Sequence, residues 1–164
     1  MADSKPCVNV LVVRSQSTSH RSLKGFLTRA GFTVVETTNG HDTIAALPSV
    51  ESIVIDLLME NPTVEDVKVV RKIRDSGCLI PIVVVGRGEN AAIREEIESD
   101  DLVQYLCKPT DYLRIEKEIL DGVEAHKNIK ELESLTGDAL ESMEAFVKWT
   151  GEMAVKDKLA GACV

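Results

Sequence analysis

Two hydrophobic periods divide most of this chain into elements. Val8 to Val13 is apolar apart from Asn9, too short for a stable helix and rich in valine, which predicts a buried strand. After the hydroxyl-rich segment from Arg14 to Ser19, Leu23, Phe26, Leu27 and Ala30 recur at helical spacing, and Gly31 is placed to stop that helix. The same alternation repeats. Phe32 to Glu36 predicts a second strand, with a turn at Asn39-Gly40 and a short helix from Asp42 to Leu47 halted by Pro48. Ser52 to Asp56 predicts a third strand, and Val64, Val67, Val70 and Ile73 mark an amphipathic helix whose Lys68, Arg71, Lys72 and Arg74 are expected to face water, with Gly77 as its stop. Pro81 to Val85 and Val103 to Cys107 predict the last two strands, separated by Gly86-Arg87-Gly88 and a short helix from Asn90 to Ile97. Strands alternating with helices over short connections predict a doubly wound α/β domain, a five-stranded parallel sheet covered on both faces.

The end of the chain is different in kind. Tyr112, Ile115, Ile119, Val123, Ile129 and Leu132 fit a helix reaching Leu135, weakened slightly at Gly122. Thr136-Gly137 reads as a break, and Asp138 to Glu141 as a capping box that opens a second helix through Leu140, Met143, Phe146, Val147, Trp149 and Met153. The expected division is therefore a domain over 6–126 and a helical extension over 127–164. Helical stripes of this kind must be covered, either by the domain or by a second copy of the chain, and the sequence favours a homodimer through the C-terminal helices.

Composition narrows the function. A chain of 164 residues holds one domain with a proper core and a modest extension. Its formal net charge of -8 removes the simplest reason to bind a polyphosphate backbone, so nucleic acid is not expected as a partner. No apolar run approaches the roughly 20 residues that span a bilayer, and the first residues lack the apolar stretch of a secretion signal, so no membrane association and a cytoplasmic location are expected. The four cysteines, Cys7, Cys78, Cys107 and Cys163, are scattered without metal-ligand spacing; three are expected as small buried residues, and no metal is expected.

In a doubly wound sheet the chemistry collects beyond the carboxyl ends of the strands, which singles out Arg14, Ser15, Asp56, Gly86 and Lys108. Leu11-Val12-Val13, Ile53-Val54-Ile55-Asp56-Leu57-Leu58-Met59, Pro81 to Val85 and Tyr105-Leu106-Cys107-Lys108-Pro109 occur in this order and spacing. From about Val8 to His126 the chain thereby resembles the receiver domain of bacterial response regulators, the group that includes the chemotaxis regulators, with a flavodoxin-like fold. The resemblance implies phosphoryl signalling, in which an aspartate at the end of the third strand accepts a phosphoryl group from a histidine kinase. It places Asp56 as the candidate phosphoacceptor, Lys108 as a cation beside it, and Tyr105 at an aromatic switch position.

Two positions depart from that pattern. Where the family has two acidic residues that hold Mg²⁺, this chain has Arg14 and Ser15, and a guanidinium repels a divalent cation. Where the family has a Ser or Thr hydroxyl, it has Gly86. Mg²⁺-dependent phosphorylation of Asp56 is therefore expected to be impaired or absent, with Arg14 forming a charge-assisted pair with Asp56 in place of the metal. The expected protein is a receiver module without enzymatic activity and without a cofactor, acting through contact with a signalling partner such as a histidine kinase or phosphotransfer protein. The competing expectation is a conventional, Mg²⁺-using phosphoacceptor in a phosphorelay, with Glu60 as a substitute ligand. A small enzyme or nucleotide binder on the same scaffold is disfavoured, because Gly86-Arg87-Gly88 is too short to cradle phosphates.

Overall fold

The computed structural model describes residues 7–14, 22–57, 62–97, 99–107 and 112–161, with side chains as far as Lys148. The elements follow in the order β1 (Asn9–Arg14), α1 (Ser22–Arg29), β2 (Thr33–Thr37), α2 (Gly40–Ala46), a 3-10 turn at Leu47–Ser49, β3 (Ser52–Leu57), α3 (Val64–Asp75), β4 (Ile82–Gly86), α4 (Ala91–Ile97), β5 (Val103–Cys107) and α5 (Tyr112–Gly161). Every strand pairing is parallel and the sheet order is β2-β1-β3-β4-β5, the doubly wound arrangement that the alternation of periods predicts.

Side-chain alternation along the strands supplies two cores. Val10, Val12, Val54, Val83, Val85 and Leu106 pack on one face with Leu23 and Leu27 of α1 and with Ile115, Ile119 and Val123 of α5. Leu11, Ile53, Ile55, Ile82 and Val84 pack on the other with Val67, Val70 and Ile73 of α3 and Ile93 and Ile97 of α4. β3 is buried along its whole length, as a central strand covered on both faces must be. Gly31 (φ 99°) and Gly77 (φ 80°) take the left-handed conformation just after α1 and α3, which is why both helices stop where the sequence says they should.

Three expectations are corrected. Arg74 does not face water: it is half-buried, with Nε 2.5 Å from Asp100 and Nη1 donating to the carbonyls of Cys78 (3.0 Å) and Ile80 (2.9 Å), so it clasps the end of α3 to the chain entering β4 and to the turn before β5. The cysteines are not core residues: Cys7 is exposed, while Cys78 and Cys107 are half-buried. There is no break at Thr136-Gly137, because α5 runs through it; the Thr136 hydroxyl donates back to the carbonyls of Leu132 (3.0 Å) and Glu133 (2.9 Å) and so satisfies itself within the helix. Gly122 also has a different meaning from a weak helical position. A Cβ there would lie 2.9 Å from Cβ of Pro81, so the glycine lets α5 approach the start of β4.

The chain divides into two compact units, Met1–His126 and Lys127–Val164. The first contains the sheet and both cores. The second is helical as far as Gly161.

Candidate functional site

The carboxyl-terminal rim of the sheet collects the residues that carry chemistry. Asp56 is the fifth residue of β3 and is only 1% exposed. Its register partner on β1 is Arg14 and on β4 Val85, so strand pairing brings a cation next to the candidate acceptor. Arg14 and Asp56 line one rim cavity of about 450 Å³, which also takes in Thr38 and Asn39 after β2 and Lys68 and Lys72 of α3. Ser15 and Lys108, the other two rim residues singled out by the sequence, lie outside the described residues.

Arg14 makes an ion pair with Glu36 of the edge strand. Nη1 of Arg14 donates to Oε1 of Glu36 at 3.3 Å, and Lys24 of α1 approaches the other oxygen of the same carboxylate at 3.4 Å. The cause is sheet order. Val12 is in register with Glu36, which puts the Glu36 side chain on the same face as Arg14, two positions along. Arg14 thus reaches the edge strand and also lines the rim cavity together with Asp56.

Glu60, the substitute ligand expected from the sequence, lies outside the described residues. Of the carboxylates near the cavity, Glu65 is bonded by Lys68, and Asp66 accepts the Thr63 backbone N–H at 2.8 Å in the capping box of α3. Among the described residues no group of three or more His, Cys, Asp or Glu side chains is placed to hold a metal. A hard divalent cation prefers several oxygen ligands, and the β1 position next to Asp56 offers a guanidinium.

Gly86 closes β4 opposite Cys107 of β5, and its lack of a side chain is structural. A Cβ there would come within 3.0 Å of Cζ of Tyr105 and closer still to the hydroxyl. The ring of Tyr105 therefore occupies the space that a side chain at position 86 would need. Its hydroxyl donates to the carbonyl of Gly88 at 2.7 Å, and the guanidinium of Arg94 lies 5.5 Å from its centroid. Burial raises the Tyr105 phenol above its ordinary pKa, and the Cys107 and Glu89 side chains push in the same direction. Tyr105, Arg94, Ile97, Asp100 and Gln104 also line a shallow groove of about 270 Å³ between α4 and β5.

Next to it is a cluster that the sequence did not single out. Cys107 donates to Oε1 of Glu89 at 3.1 Å, and Nη2 of Arg94 donates to both oxygens of Glu89 at 2.9 Å. The hydrogen bond to Glu89 raises the Cys107 thiol above its usual value and holds the Glu89 carboxyl below its own. Neither Glu36 nor Glu89 was detectable from spacing, because each meets its partner only through sheet pairing or a loop. The one available hint for Glu36 was that it is the single charged residue of β2.

No family model matches the sequence, and no curated protein matches it. Solved structures do match. The signal receiver domain of a LuxO repressor protein from Vibrio parahaemolyticus aligns over 77% of this chain and 97% of its own length, with TM-score 0.61 and 13% identity. FixJ-N aligns over 73% and 96%, with TM-score 0.60 and 24% identity. A response regulator receiver protein from Sinorhizobium medicae aligns over 73% and 97%, with TM-score 0.51 and 23% identity. A five-stranded parallel sheet in the order 2-1-3-4-5, an aspartate at the end of β3 and these structural likenesses agree: the chain has the fold of response-regulator receiver domains.

Proposed function

We propose that this chain is a receiver-type module of two-component signal transduction that works through protein–protein contact, with Mg²⁺-dependent phosphorylation of Asp56 impaired or absent. One observation carries the reading: at the rim of the sheet, Asp56 has Arg14 as its neighbour in register on β1. Phosphoryl transfer to a carboxylate depends on positioning and on neutralising the charge that builds on the phosphoryl oxygens. An arginine at that position on β1 supplies no carboxylate ligand for a metal, and its positive charge opposes a divalent cation nearby. On this reading the module is not an enzyme, needs no cofactor and acts in the cytoplasm. Its partner is another signalling protein, such as a histidine kinase or a phosphotransfer protein, bound through α4, β5 and the first turns of α5. The groove along Tyr105 supports that choice of face, since it is lined by a tyrosine, an arginine and Asp100.

A second reading keeps Asp56 as a working phosphoacceptor with a relaxed metal site, and its place in the lining of the rim cavity favours it. Incubation with acetyl phosphate and Mg²⁺, followed by intact-mass measurement, separates the two. The expected result is no added phosphoryl group on the natural chain and a labelled fraction in Arg14→Asp, abolished again by Asp56→Asn. Labelling of the natural chain as fast as Arg14→Asp would overturn the first reading in favour of the second.

A further inference from the structure

Beyond the sheet, α5 carries the largest exposed apolar surface among the described residues. Leu132, Leu135, Leu140, Met143, Phe146 and Val147 are each 61–65% exposed, and Ile129 is 36% exposed. At 3.6 residues per turn these seven positions fall within an arc of about 140°. The charged residues from Lys127 to Lys148 all fall outside that arc, with Glu133 at its edge.

Within the stripe a seven-residue repeat is visible. Ile129, Thr136 and Met143 stand seven apart, and so do Leu132, Ala139 and Phe146. That is the spacing by which helices supercoil around one another, and it predicts that the surface covering this stripe is itself a helix with the same repeat. The positions flanking the repeat are Asn128, Leu135 and Ser142 on one side and Glu133, Leu140 and Val147 on the other. Only Glu133 is charged, so two copies placed side by side do not set like charges against each other along the seam. Area points the same way: at roughly 100 Å² apiece the seven side chains present on the order of 700 Å², close to the ~800 Å² per partner of a standard stable interface.

We infer that residues 127–148 are a homo-association surface, and that its occupant is the same helix of a second copy of this chain. The stripe is the interface, with Leu132 and Met143 central to it. The inference does not depend on whether Asp56 accepts phosphate.

Light scattering coupled to size exclusion, run on the full chain across a hundredfold range of concentration starting in the low micromolar, tests it. The expected mass is that of two chains or more at the upper end. Leu132→Glu combined with Met143→Glu buries two charges in the seam and is expected to weaken association by roughly a hundredfold or more, leaving a mass of one chain. Lys130→Glu, on the polar arc, is expected to leave the mass of the natural chain unchanged. Amide-hydrogen exchange of the strands β1 to β5 and the melting transition of the sheet unit, measured on each variant, show whether the fold survives. A natural chain of single-chain mass at every concentration would overturn the inference, as would a folded double variant that associates as tightly as the natural chain.

Discussion

At the scale of single residues, Gly86 and Tyr105 are one unit. The glycine is the only residue that leaves room for the ring, and the ring is fixed by its bond to the Gly88 carbonyl and by Arg94 above it. Gly86→Ser is therefore expected to displace Tyr105 and to cost about 1–3 kcal/mol through overpacking. The same change in a Tyr105→Ala background should cost little, and a double-mutant cycle by urea unfolding checks the coupling. The neighbouring thiol gives a pH-dependent prediction. Glu89 accepts the Cys107 hydrogen bond and raises its pKa, so the favourable contact is fully present below the ordinary thiol value and is lost as pH rises through the raised one. The Glu89 carboxyl, held low, keeps its own contribution above the ordinary carboxylate range and loses it as pH falls. Glu89→Ala should then accelerate alkylation of Cys107 at mildly alkaline pH and move the midpoint of its pH–rate profile downward, read by peptide-resolved mass spectrometry.

At the scale of elements, two glycines on one helix make opposite predictions. Gly122 faces Pro81 at a distance that no Cβ tolerates without movement, whereas nothing lies within 4 Å of the Cβ position at Gly137. Gly122→Ala is expected to destabilise the sheet unit by about 1–2 kcal/mol, the steric cost exceeding the helical gain of ~1 kcal/mol. Gly137→Ala is expected to stabilise α5 by about 0.5–1 kcal/mol, seen as a higher helical signal and a later melt. The contrast marks what the sequence could show. Strands such as Ile53 to Ile55 and Ile82 to Val85 were legible because β-branched runs of that length have few other uses. The stops at Gly31 and Gly77 were legible because a left-handed residue after a helix favours glycine. The supposed break at Thr136-Gly137 was misread because a single glycine costs too little to end a helix that is otherwise well supplied with Leu, Ala, Glu and Met. Gly122 and Arg74 take surroundings other than those expected for a common reason: their partners, Pro81 and Asp100, come from other elements. At the site, Arg14 and Asp56 were placed at the sheet rim by position alone, but the ion pair of Arg14 with Glu36 depends on β2 lying beside β1.

At the scale of the whole molecule, the two units draw on different sources of stability. The sheet unit buries its own apolar residues from Val8 to Val123, so its unfolding should be governed by contacts within one chain. The second unit has its large apolar side chains exposed on one face, and a helix without packing on such a face is marginal in water. Helix formation over 127–161 is thus expected to be coupled to association, and mass action makes the coupling visible. Dilution of the natural chain should lower the far-ultraviolet helical signal while amide-hydrogen exchange of the strands β1 to β5, which reports the sheet unit alone, stays constant. Heating should give an early transition whose midpoint falls by several degrees on dilution, roughly what a change of 1–2 kcal/mol does to a small domain, followed by one independent of concentration. A single transition at all concentrations, with helical and tertiary signals lost together, would mean that the tail draws its order from the sheet unit, because a helix stabilised by packing on its own domain responds to temperature and not to dilution.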